Sequence, residues 1–310
     1  NDECNKNRSD FNADISNWDT SSVITMAYIF LDSGSFTGDG VSNWDTSRVT
    51  NLEGSFHNAV SFTGHGLSNW DTSKVTSLRF TFLGTSSFNS DLSNWDTSKV
   101  TTLFETFSGT TSFTGDGVSN WDTSRVTSLE RAFCGSTSFS GDAVSNWDTS
   151  SVTSLISTFE RAISFTGDGV SNWDMSSVES LQAAFANCES FNGDLSLWNT
   201  TSVTSLYGTF AYINTDSFTG DSIANWDTSK VFDLRYAFYE SSFDPANLHG
   251  WNIESVSSRA FFDSFFSNRD LTECERYKLF NAWSHQSSDF RDGYLSWGST
   301  NRECACQIGS

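Results

Sequence analysis

Several things are scarce in this chain, and each scarcity narrows what it can be. No stretch approaches the ~20 apolar residues that span a bilayer, so a transmembrane helix is excluded at the level of sequence. Basic residues are few: 17 Lys and Arg stand against 38 Asp and Glu, for a net charge of −21. Such a surface repels DNA, RNA and anionic lipid, and favours solubility, cations and basic partners. The four histidines, His57, His65, His249 and His285, form no repeated arrangement. There is no Gly-rich phosphate loop or nucleophile motif, and the carboxylates are so numerous that no single pair stands out. The expectation is therefore a protein that is not an enzyme, a β-helical glycosidase being the least implausible exception. Only one proline is present in 310 residues. The first residues, Asn1-Asp2-Glu3-Cys4, carry neither an initiator Met nor a signal peptide. A mature start after a cleaved secretory signal looks like this, as does a trimmed chain.

Aromatic residues, by contrast, are abundant: 28 Phe and 12 Trp lie among runs of Ser, Thr, Asn, Asp and Gly. That many rings can bury a large apolar area, which argues against disorder. Ten of the tryptophans recur at Trp18, Trp44, Trp70, Trp95, Trp121, Trp147, Trp173, Trp198, Trp226 and Trp251, with spacings of 26, 26, 25, 26, 26, 26, 25, 28 and 25. A period of this length means a repeat architecture. Residues are lost at one place, where Ser35-Phe36-Thr37-Gly38-Asp39-Gly40-Val41 becomes Ser87-Phe88-Asn89-Ser90-Asp91-Leu92, and gained around Asn214-Thr215-Asp216. Length changes confined to two spots mark loops.

Within a coil the apolar positions are those of Val41, Trp44, Val49, Leu52, Phe56 and Phe62. The residue three before Trp is always Ile, Val or Leu, and the fifth after is always Val. Met175 and Ile253 replace the threonine of the Thr46 position in two coils, which points that column inward. Placing Val41, Trp44, Thr46 and Val49 in inward slots gives a short parallel strand around Asn43 to Thr46. Val49, Leu52 and Phe56, at i, i+3 and i+7, then give a short helix over 47–56, and the Gly-Asp-Gly segments turn the chain back. The expected fold class is an α/β repeat solenoid: a leucine-rich-repeat-like right-handed coil with one short parallel strand and one short helix per 25–26 residues. An all-β parallel β-helix is the alternative. The expected organisation is an N-terminal segment over 1–10, a ten-coil solenoid over 11–259 and a C-terminal cap over 260–310, where the pattern decays from Asn252 through Arg259 and Asp263.

The phrase Ser-Asn-Trp-Asp-Thr-Ser-x-Val-Thr-x-Leu-x-x-x-Phe, followed by Ser-Phe-x-Gly-Asp, resembles the 26-residue bacterial surface-protein repeat first noted in mycoplasma lipoproteins (the domain of unknown function 285), which is akin to BspA-type leucine-rich-repeat-like surface proteins. The resemblance runs from Phe11 to about Val256 in ten copies, and the tail from Leu271 to Phe280 followed by Trp297 is similar to the helical segment that closes such arrays. It implies surface location, adhesion and no catalysis, and it supplies no binding residues.

Stacking the coils lines up side chains into columns. One acidic column runs Asp19, Asp45, Asp71, Asp96, Asp122, Asp148, Asp174, Asn199, Asp227 and Asn252. Carboxylates ~4.8 Å apart repel unless they accept hydrogen bonds or hold cations. The expectation is that each Asp accepts from the turn that follows it. The competing reading is a concave strip that binds Ca²⁺, glycans or a basic protein. A second column, Asp14, Asp39, Asp91, Asp116, Asp142, Asp168, Asp194 and Asp221, with His65 in one coil, closes the return loops. No EF-hand or nonapeptide calcium motif is present, so no metal site is assigned and no cofactor is expected. Regular hydroxyls also raise ice binding, which an inward Thr column disfavours.

Cys134 and Cys188 lie two coils apart, about 10 Å, too far for a bond, and read as separate buried thiols. Cys274, Cys304 and Cys306 cluster in the cap, leaving one over, while Cys4 lies at the far end. That distribution suggests an intermolecular disulfide from Cys4 to Cys304 or Cys306 and head-to-tail association with further copies. Two sequons, at Asn7 and Asn199, are candidate glycosylation sites, and with the cysteines they lean toward an extracellular or cell-surface location. The expected function is a structural or adhesive scaffold that self-associates or contacts other surface proteins and glycans. The runner-up is a soluble module that uses the acidic strip for binding.

Overall fold

The computed structural model describes residues 8–213, 218, 220–242, 245–256 and 272–299. Successive repeats stack in parallel, one repeat length apart, around a single continuous apolar core. The stacking is legible in the backbone. In one coil the N–H groups of Leu52, Gly54, Phe56 and Asn58 donate to Ser77, Arg79, Thr81 and Leu83 of the next. The intervening Ser55, His57 and Ala59 donate to Leu52, Gly54 and Phe56, three residues back in their own coil. Donors thus alternate between the neighbouring coil and a tight turn.

This arrangement corrects the expected fold class. The segment expected as a helix is a run of overlapping turns, because an α-helix needs every N–H for its own chain and here every second one serves the next coil. Ser55 and Thr81 reinforce the turns: their buried hydroxyls donate both to the carbonyl three residues back and to one in the preceding coil. The expected strand around Asn43 to Thr46 is also absent. Val41–Asn43 is one turn of 3-10 helix, entered through Gly40 at φ 95°. Pairing among the described residues is limited to isolated one-residue parallel bridges, such as Thr25 to Asn51 and Asn51 to Ser77. Those bridges fall inside the segment expected as helix. Neither a strand-plus-helix coil nor a β-helix is present.

Besides the return-loop glycines, two backbone positions in each run of turns take left-handed angles, and many of their residues are not glycine: Tyr28, Phe80, Glu105 and Arg131 in one column, Asp32, Asn58 and Arg161 in the other. Each costs about 1–2 kcal/mol. The cross-coil hydrogen bonds and the burial between them offset that cost.

The core is a set of ring columns. Phe56 stacks on Phe62 at 4.1 Å and meets Phe30 and Phe82 of the adjoining coils at 5.5 and 5.7 Å. Trp121 and Trp147 are parallel within 3° at 6.4 Å. Each buried ring contributes roughly 1.5–3 kcal/mol, and each ring pair about 0.5–1.5 more. The tryptophans are also tied by polar bonds: Trp70 Nε1 donates to Val41 O of the preceding coil at 3.0 Å, and the same bond recurs up the stack. A Trp121→Phe exchange keeps an aromatic ring but loses part of the buried indole and its N–H bond to Leu92 O, which then accepts only from Trp95 N. The expected cost is about 1–3 kcal/mol in urea unfolding. The threonine column is inward as expected: Thr46 is buried and donates to Asp71 O of the next coil at 3.1 Å.

At the C-terminal side, helix α1 (Glu273–Trp283) starts with a capping box in which Thr272 and Glu275 exchange bonds. It packs on the 3-10 turn Pro245–Gly250, and a short helix α2 (Ser288–Gly293) follows. Gln286 ties this helical segment to the coil of Trp251. Its Oε1 accepts from Ile253 N at 2.7 Å and its Nε2 donates to Trp251 O at 3.3 Å. Arg259 and Asp263 lie outside the described residues.

Candidate functional site

The main acidic column is built by one local device. Asp45 Oδ1 accepts from Ser47 N at 2.9 Å, and Asp71, Asp96, Asp122, Asp148, Asp174 and Asp227 accept at 2.9–3.0 Å from the serine two places on. Asn199 does the same with Thr201. The serine hydroxyl and then its N–H hold Asp45, Asp71, Asp96, Asp148, Asp174 and Asp227 below the ordinary carboxylate range. Asp19 is shifted the same way by Ser21. The column is thus an array of Asx turns, each carboxylate engaged within its own coil. Neighbouring cations serve the backbone: Lys74 Nζ and Lys99 Nζ each donate to a serine carbonyl of the preceding coil at 2.8 Å.

A stability consequence follows. Depressed native values mean that this stabilisation is complete above the unfolded carboxylate value of about 3.9 and is lost as pH falls through the lower native values. The melting temperature should be flat between about pH 7 and pH 5 and fall steeply below about pH 4, which calorimetry across that range will show.

The return-loop column splits in two. Where the loop is shorter, Asp91 and Asp194 accept from Ser93 N and Ser196 N at 2.8 and 2.9 Å, and Asp14 does likewise with Ser16. Where the loop carries its glycines, as at Gly38-Asp39-Gly40, a 3-10 turn follows, and Asp39 instead accepts from Thr37 Oγ1 at 3.3 Å. No group of three or more His, Cys, Asp or Glu among the described residues is arranged to hold a metal.

Cys134 is half-buried and Cys188 fully buried, both as free thiols; burial pushes each thiol's pKa up. Cys274, on α1, is not among the free thiols. Cys4, Cys304, Cys306 and Asn7 lie outside the described residues, and Asn199 is exposed.

One feature of the surface had no signal in the repeat pattern. Tyr207, Tyr212, Tyr236 and Tyr239 are four of the chain's seven tyrosines, and they line one groove of about 390 Å³ together with Gly208 and Ala183. The clustering of four tyrosines within residues 207–239 was its only trace in the sequence.

The model of the family described as "Mycoplasma protein of unknown function, DUF285" matches residues 2–65, 35–117, 101–216 and 196–286. The chain belongs to that family. The overlapping matches span the described stack of coils and reach α1, as the resemblance implied. No curated protein and no solved structure matches the chain. No helix among the described residues is long and apolar enough to cross a membrane.

Proposed function

We propose that this DUF285 protein is a non-enzymatic repeat scaffold of the cell surface or extracellular space, adhesive in role and able to associate with further copies of itself. The observation that carries this reading is how completely the repeated chemistry of each coil is spent on its neighbours. The Trp indole N–H, the Thr46-type hydroxyl and the alternating backbone donors all cross from coil to coil. The acidic column is spent on its own turns. A surface built from one repeated contact is also a template for a second copy. The charge of −21 favours basic partners over nucleic acid. Sedimentation and electron microscopy of the purified protein test the reading: oligomers or filaments support self-association, whereas a monomer that gains stability only with an added ligand supports a binding module.

Calcium is not needed in this proposal, because turn N–H groups already occupy one oxygen of each ladder carboxylate. Excess EDTA should leave the melting temperature unchanged, and a fall of several degrees would show that the acidic column is a cation site.

A further inference from the structure

The tyrosine groove exists because one column is interrupted. Tyr28, Gly54, Phe80, Glu105, Arg131, Ser157, Ala183, Gly208 and Tyr236 share the first left-handed position of their coils. At the start of the stack Tyr28 precedes Gly54, and its ring lies on the glycine so closely that an added Cβ would overlap it. Its hydroxyl donates to Glu53 Oε1 at 2.8 Å. Further along, Ala183 takes the place of Tyr28 and precedes Gly208, where nothing lies within 4 Å of an added Cβ. The flat ring that covers the first glycine has no counterpart over the second.

The walls around this gap differ from the core. Along the main phenylalanine column the rings are near parallel, as for Phe133 and Phe159 at 5°. Here Tyr207 meets Tyr236 at 72°, Tyr212 meets Tyr239 at 79° and Tyr236 meets Tyr239 at 82°. Edge-on packing sets these rings at steep angles to one another, so the wall is not the flat ring stack of the core. Arg235, held by Asp233 at 2.6 Å, lies 5.2 Å from the Tyr207 ring and braces that wall. On the opposite rim Glu160, Arg161 and Asn187 line the groove, and among the described residues no hydrogen bond engages their side chains.

We infer that this groove binds a neutral oligosaccharide, one sugar ring lying over Gly208 where Tyr28 lies over Gly54. A pyranose offers an apolar face for tyrosine rings and hydroxyls for a carboxylate, an amide and a guanidinium. The volume suits a small-molecule site of ~300–1,000 Å³. The charges of Glu160 and Arg161 offset each other, so the groove does not share the strong negative charge of the whole chain and has no need of a charged ligand. This assignment does not depend on self-association.

The test is titration calorimetry and saturation-transfer NMR of the full chain with maltotetraose, cellotetraose, chitotetraose and mannotetraose. Saturable binding of at least one is expected, at about 1 mM or tighter. Ala183→Tyr should restore the covering ring, at a position that already accepts tyrosine in the first coil, and weaken binding at least tenfold without lowering the melting temperature. Tyr212→Ala and Tyr236→Ala should each weaken it about tenfold. Failure of all four sugars to bind at about 10 mM, binding that survives Ala183→Tyr, or a decaproline peptide occupying the groove in place of every sugar overturns the inference.

Discussion

Gly117→Ala is expected to destabilise the protein by about 2–5 kcal/mol, whereas Gly135→Ala costs no more than about 1–2. Both glycines have positive φ, 85° and 70°, so both substitutions carry the left-handed penalty. They differ in what an added methyl group meets. At Gly117 it would overlap the backbone nitrogens of Leu92 and Ser93 in the preceding coil, which cannot move without shifting that coil. At Gly135 the nearest atoms are the Cα and N of Gly109 at 3.8 Å, an ordinary contact. The stiffer unfolded chain of an alanine variant returns about 0.4–1 kcal/mol in both cases. Urea midpoints of the pair therefore isolate coil-on-coil contact from backbone preference, and equal losses would mean that the coils do not approach this closely.

The second large effect is in the ring columns. Phe133 is fully buried and touches Phe139 at 4.1 Å, Phe107 at 5.5 Å, Phe159 at 5.7 Å and Trp147 at 5.8 Å. Phe133→Ala removes a ring from three successive coils' packing and leaves a cavity that a backbone pinned on both sides cannot close. A loss of about 3–5 kcal/mol is expected. Phe232→Ala is the control, since Phe232 is 53% exposed and its loss should fall within about 0.5 kcal/mol. Because repeats stabilise one another through nearest-neighbour contacts, the Phe133 variant should also broaden the unfolding transition as the two halves separate. A loss below about 1 kcal/mol would mean that the column is not continuous there.

The repeat, its inward columns and the role of its aspartates could be read from the amino acids. Trp44, Val49, Leu52 and Phe56 are buried, Thr46 faces inward, and Asp45 closes an Asx turn. The backbone form could not be read. Val49, Leu52 and Phe56 at i, i+3 and i+7 fit a helix and a run of i→i−3 turns equally, since both bring every third or fourth residue to one face. What separates them is the destination of alternate N–H groups, which is a property of the stack and not of one coil. Residues such as Phe80, Glu105 and Arg131 would not be placed at positive φ by their own preferences; their neighbours impose it. Ser55 and Thr81 gave a hint, as hydroxyls that compete with helical hydrogen bonding. The tyrosine groove was hidden for a related reason. It arises from Ala183 and Gly208 interrupting a column whose alignment only the turns reveal.

Amide exchange followed by NMR distinguishes the stacked-turn backbone from a strand-and-helix coil at the threonines that follow the repeated valine. Thr101, Thr127 and Thr153 have exposed side chains, yet their N–H groups donate to Thr76, Thr101 and Thr127 of the preceding coil at 3.0 Å. In a helix beginning just after the Asp, these same N–H groups would instead donate four residues back within their own coil, at a fraying N-terminal end where protection is weak. Strong protection of all three, matching that of Phe107 and Phe133 in the core, is the result expected of coils joined by parallel hydrogen bonds one repeat apart; exchange near the rate of free amides would contradict it.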